Sequence, residues 1–251
     1  MAHDLQPQPL LNTTPRTAAP ILATGLALLC SLGQVAAAGS SASPFERIVA
    51  RFNTTAPPAY RAFRRLDAGI TGATKHGWLE AWTEFHPDRG LTVDVVGEGG
   101  HDYVRNKVLR KMLANEQQLI ARGQPLHAAL DTRNYSFDDG GTTDDGLQRV
   151  VLKAARKSHG IVNGALFLAP GAEYVARLEG RLVKSPSFWV NDVDIAWKFA
   201  RIGGHVLPTE MTSAGRVRMI GRSTFRMVYD YVSIDGRPTG ARLSAELRDQ
   251  D

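Results

Sequence analysis

A strict alternation of apolar and polar residues is the feature that most constrains this chain. From Gly146 to Ile234 it reads as one strand after another. "EYVARLEGRLV" sets Tyr174, Ala176, Leu178 and Leu182 against Arg177, Glu179 and Arg181. "SFWVNDVDIAWKFARI" sets Trp189, Val193, Ile195, Trp197 and Phe199 against Asp192, Asp194 and Lys198. In "RVRMIGRSTFRMVYDYVSI", Val217, Met219, Phe225, Met227, Tyr229 and Tyr231 share one face, and Arg216, Arg218, Arg222 and Arg226 share the other. Successive strand side chains point to opposite sides, so a period of two means one buried and one wet face, the pattern of an antiparallel sheet.

Upstream, "HGWLEAWTEFH" alternates as well, with Trp78, Glu80, Trp82 and Glu84 opposing Leu79, Ala81, Thr83 and Phe85. A turn over Pro87–Gly90 leads into "LTVDVVG", which predicts a hairpin. Two segments have helical spacing instead. "PFERIVARF" follows Ser43 as cap, with Pro44 at the first helical position and Glu46 completing a capping box. The second carries the stripe Val104, Val108, Leu109, Met112, Leu119 and Ile120 between Asp102 and Gly123. "AYRAFRRLDAGI" suits either a further helical piece or the first strand. The expected fold is α+β: a curved antiparallel sheet, a half-open barrel of about nine to eleven strands, covered on its concave side by helices.

The N-terminus bears on location. Ile21–Leu32, "ILATGLALLCSL", has the length of a signal-peptide core and is too short to span a bilayer. Arg16 precedes it, and Ala36-x-Ala38 suits cleavage after Ala38. These features predict a signal peptide over residues 1–38, a single domain over 39–251, and a periplasmic location. The one cysteine, Cys30, follows the large Leu29, which makes lipid attachment there the lesser alternative.

Several function classes are disfavoured. The net charge is +5, but there is no C-x-x-C pair, helix-turn-helix or basic arm, so no nucleic-acid partner is expected. Gly97-x-Gly99-Gly100 departs from the dinucleotide fingerprint, because Asp102 and Tyr103 stand where its last residues should be. "DDGGTTDDG" lacks the ligand spacing of a calcium loop and reads as a solvated hairpin turn. No metal or other cofactor is expected. Asp192 and Asp194, with His205 downstream, form the one paired-carboxylate arrangement; an exposed polar face is the plainer reading. No nucleophile motif is present, and a non-enzymatic role is expected.

"LEGRLVKSPSFWV", "GGHVLPTEM" and "GRSTFRMVYDYVSIDG" resemble the LolA/LolB-like half-barrel superfamily. Within it they are most similar to an uncharacterised group of exported bacterial proteins described as outer-membrane lipoprotein-sorting-like. The resemblance spans roughly Phe45 to Gly236. It implies an apolar cavity between curved sheet and helical lid, lined by Trp78, Trp82, Phe167, Trp189, Trp197, Phe199, Phe225, Met227 and Tyr229. Phe188 is expected at the rim. Arg216, Arg218, Arg222 and Arg226 are candidates for contact with anionic headgroups or a membrane surface. The expected function is a periplasmic binder or carrier of a hydrophobic or amphipathic ligand, a lipid or a lipoprotein acyl chain. The alternatives are a non-enzymatic module that docks an envelope protein, and an enzyme that uses the half-barrel cavity.

Overall fold

The computed structural model describes residues 44–54, 57–71, 75–123, 129–171, 174–185, 190–217 and 221–240. The signal-peptide segment with Cys30, and Phe188, Trp189 and Arg218 among the candidate site residues, lie outside them.

Eleven strands form one antiparallel sheet. They are β1 (Tyr60–Thr71), β2 (Lys75–His86), β3 (Gly90–Gly100), β4 (Tyr135–Thr142), β5 (Gln148–Ala154), β6 (Val162–Leu168), β7 (Val175–Leu182), β8 (Val190–Ile202), β9 (His205–Val217), β10 (Gly221–Ile234) and the short β11 (Arg237–Pro238). The order is β3-β2-β1-β10-β9-β8-β7-β6-β5-β4, with β11 added to β10. β3 and β4 are the two edges, so the sheet stays open. "AYRAFRRLDAGI" is a strand, not a helix, and it pairs with β10 along its whole length. That ladder sets Ala62 opposite Tyr231, Arg64 opposite Tyr229 and Leu66 opposite Met227.

Both predicted helices form. The first is α1 (Pro44–Thr54). The second is built from α2 (Asp102–Val104), a π-helical turn (Arg105–Leu109) and α3 (Arg110–Ala121). Its cap is His101, one residue before Asp102; the His101 Nδ1 accepts the Tyr103 N–H at 3.2 Å. Glu98 at the end of β3 binds Arg105 at 2.9 Å and Arg110 at 2.8 Å, which ties the helix to the strand that leads into it.

The helical residues pack on one face of the sheet in two clusters. Val104, Leu109 and Leu113 join Ala62, Leu66, Leu79, Ala81, Phe225 and Met227. Ile48 and Val49 of α1 join Leu130, Leu152, Leu166, Val175 and Leu178. α1 is held there by Asn53, whose amide donates to the Leu130 carbonyl (2.8 Å) while its Oδ1 accepts the Leu130 N–H (2.7 Å). Trp197 packs against both clusters.

The structure corrects four expectations about the strands and their faces. In β2 the inward residues are Leu79, Ala81, Thr83 and Phe85, all buried, so Trp78 and Trp82 point to the opposite face. There Arg61 lies 4.6 Å from the Trp82 ring centre, and Phe63 meets Trp82 edge-on at 5.2 Å. Trp78 spreads over β3, where a Cβ on Gly99 would come within 2.6 Å of its Nε1. Gly97 and Gly99 make room for the indole. Phe167 also faces outward, beneath the Arg177 guanidinium at 4.0 Å.

The segment from Arg216 to Ile234 is not one strand. β9 ends at Val217 and β10 begins at Gly221, with Val217 opposite Gly221 and Arg216 opposite Arg222. Gly221 sits at φ +131°, where a Cβ would meet the Thr71 carbonyl oxygen at 2.1 Å, so only glycine fits. The arginine row is therefore divided between two strands. Finally, Asp192 lies at φ +49° in a bulge between Asn191 and Asp194, which resets the alternation in β8.

Gly99→Ala is expected to destabilise the protein by about 1–3 kcal/mol through overpacking against Trp78. Urea unfolding measures this, and the loss should shrink in a Trp78→Ala background, where the clash is gone.

Candidate functional site

A cavity of about 530 Å³ lies at the seam between the two clusters. α1 contributes Ile48 and Phe52, α3 contributes Glu116 and Ile120, and the sheet supplies the rest. Its size is within the range of small-molecule pockets. Trp197 and Phe199 stack at 6.2 Å, and Phe52 reaches down from α1 to meet Phe199 edge-on at 5.4 Å. Tyr60 stacks on Phe85 at 5.6 Å and meets Tyr231 edge-on at 5.4 Å. Toward β6, β7 and β8 the lining is mainly aliphatic, with Val162, Val175, Leu178 and Ile195 beside Tyr135 and Tyr174.

Of the charged residues in this wall, Arg64 is the one that is fully buried. Arg64 is 1% exposed. Its Nη1 donates to Glu116 Oε2 at 2.7 Å, its Nη2 donates to the Tyr60 hydroxyl at 2.8 Å, and its guanidinium lies 4.5 Å from the Tyr229 ring centre. Burial opposes the charge, and Tyr229, Tyr60 and Glu116 together more than offset that, so the guanidinium stays protonated. A buried cation is tolerated only with such partners, and Glu116 on α3 makes the pair neutral. Burial also raises the phenols of Tyr60, Tyr229 and Tyr231 above their ordinary value.

Of the expected lining residues, Trp197, Phe199 and Tyr229 line the cavity. Phe225 and Met227 face the same way but are packed into the core beside it, against the α2–α3 segment. Trp78, Trp82 and Phe167 are on the other face. Arg64, Glu116, Tyr60 and Phe52 were not anticipated. A signal for Arg64 existed: it falls in phase with Ala62, Leu66 and Ala68, an arginine among the apolar positions of its strand.

The other face is charged and largely self-paired. Arg226 and Lys198 both bind Glu210, each at 2.6 Å. Arg181 donates twice to Asp194, at 2.7 and 3.1 Å, and these bonds hold the Asp194 carboxyl below its usual range. Asp194 is thus engaged by Arg181, and Asp192, in the bulge, also lies within electrostatic reach of that guanidinium. This face bears a larger, open depression of about 830 Å³, lined by Asp67, Glu179, Arg181, Asp194 and Arg226. Its greater exposure and its paired charges make the cavity beside the helices the better candidate.

His205 lies in the cavity wall and pairs with Asp235 at 3.2 Å. In the aspartate-rich hairpin, Asp138 pairs with Lys153, Asp139 accepts the Gly141 N–H, and Asp145 accepts from the Thr143 hydroxyl. Among the described residues, no cluster of three His, Cys, Asp or Glu side chains is placed to hold a metal ion. No helix among them is long and apolar enough to cross a membrane.

Comparison with known proteins gives distant structural likenesses. No family model matches the sequence, and no curated protein aligns with it significantly. A crystal structure of a DUF1329 family protein from Desulfovibrio piger is similar at TM-score 0.39 and 9% identity, over 80% of this chain and 94% of that one. A LolA superfamily protein from Nitrosomonas europaea is similar at TM-score 0.36 and 12% identity, over 74% of this chain and 90% of that one.

The buried phenols carry a pH prediction. Their folded values are raised, so burial contributes stability that is fully present below the ordinary value of 10.0 and is lost as pH rises from there through the folded values. Absorbance titration near 295 nm should show Tyr60, Tyr229 and Tyr231 ionising late, together with unfolding, and the variant Tyr231→Phe should weaken the alkaline loss of stability.

Proposed function

We propose that this protein binds or carries a hydrophobic or amphipathic ligand, such as a lipid or an acyl chain, in the cell envelope. One observation carries the reading: the cavity of about 530 Å³ between α1, α3 and the sheet, walled by Trp197, Phe199, Phe52, Leu178 and Val175. A filled core would bring the two clusters into contact along their seam. Here residues of α1 and α3 both border an aromatic-lined space. In this reading the open sheet curves as a half-barrel and the helices are its cover. Residues 1–38 serve as the export signal, and the mature protein works in the periplasm, at or between membrane surfaces. Binding of this kind needs no catalytic group.

The test is uptake of an apolar fluorophore, N-phenyl-1-naphthylamine, with native mass spectrometry of the purified protein for co-purified lipid. The probe should bind and be displaced by long-chain lipids. Phe199→Ala should weaken binding about tenfold or more, the weight of one buried aromatic side chain. Trp82→Ala, on the opposite face, should leave it unchanged. A protein that takes up neither probe nor lipid, or whose binding follows Trp82 instead of Phe199, contradicts the proposal.

A further inference from the structure

The cavity has two chemically different ends. Toward β6 and β7 the lining is mainly aliphatic, with Val162, Val175 and Leu178; Tyr174 and Tyr135 also lie there, and the Tyr135 hydroxyl accepts the Val162 N–H. Toward β1 and β10 it presents Tyr60, Tyr229 and Tyr231 around the Arg64–Glu116 pair. In the sheet order β1 and β6 are five strands apart. That separation is roughly 24 Å along the sheet.

The polar end can donate hydrogen bonds but has no net charge to offer. The Tyr60 hydroxyl already accepts from Arg64, so its own hydrogen is left to donate. The buried Arg64 Nε has no hydrogen-bond partner among the described residues, and Tyr229 and Tyr231 line this end with nearly buried side chains. Their raised pKa values keep them protonated. The charge of Arg64 is matched by Glu116 at 2.7 Å. A carboxylate or phosphate placed here would bring an uncompensated negative charge into a buried site, whereas an uncharged acceptor would satisfy the phenols at no such cost.

We infer that the β1–β10 end of the cavity receives an uncharged hydrogen-bonding group of the ligand, an ester or amide carbonyl or a hydroxyl, while the apolar chain runs toward β6 and β7. This rests on the cavity reading proposed above. It assigns Glu116 a selective role: by neutralising Arg64 it turns away anions. The competing arrangement places an anionic head at Arg51 and Arg201, which also border the cavity, with the tail at the phenols.

Methyl palmitate and palmitate share one acyl chain and differ in charge at one end. Displacement of N-phenyl-1-naphthylamine from the purified protein at pH 8 compares them. The ester should bind about tenfold or more tighter than the acid. The isosteric change Glu116→Gln leaves Arg64 charged and unmatched, and should raise palmitate affinity about tenfold while moving the ester by no more than about twofold. Tyr231→Phe should weaken the ester and leave hexadecane unaffected. Equal binding of ester and acid, unchanged in Glu116→Gln, overturns this inference and leaves the cavity reading standing. Failure of every probe to bind overturns both.

Discussion

The pairing of β1 with β10 is the constraint on which the rest depends. It joins residues at opposite ends of the chain, Tyr60 with Ile234 and Thr71 with Arg222, and so merges the N-terminal three-stranded wing with the meander from β4 to β10. It also sets Arg64 beside Tyr229 and Ala62 beside Tyr231, which creates the polar end of the cavity from two strands that carry no hint of each other locally. With β1 in the middle of the path, β3 and β4 become distant edges. The connection between them, residues 101–134, must lead from one edge to the other.

That requirement explains why the cavity lies where it does. The connection packs α2, the π turn and α3 against the β1–β3 wing, and its later part, at Leu130, joins α1 on the β4–β7 wing. Each helical segment completes one cluster. At β8, Trp197 touches both clusters, and its stacked neighbour Phe199 lines the cavity. Arg64 and Glu116 then bridge sheet and helix at the edge of that space, a contact whose burial makes it costly to break from either side.

The opposite face shows how charge and aromatic residues keep a large sheet in water. Arg61 over Trp82, Arg177 over Phe167 and the Lys198–Glu210–Arg226 group cover apolar surface or satisfy one another. Trp78 and Trp82 belong to this layer. The superfamily resemblance implies that Trp78 and Trp82 line the cavity instead. The smaller residues on the other phase, Leu79, Ala81 and Thr83, are the ones that close packing under a helix admits.

By itself, the sequence determined the class of the fold: a long antiparallel run, a hairpin and two helical segments, each legible because burial of one strand face or one helix stripe imposes its own period. The turn at Pro87–Gly90 and the helix from Asp102 were readable for the same local reason. Tertiary structure decided which phase of β2 faces the core, where β9 gives way to β10, and which aromatics meet in one cavity. Those outcomes depend on partners distant in the chain: the helix that covers Leu79, the Thr71 carbonyl that only Gly221 can approach, and the strand that carries Tyr229 to Arg64. Alternation marks two faces of a strand, and only the neighbour that arrives on one of them decides which is inside.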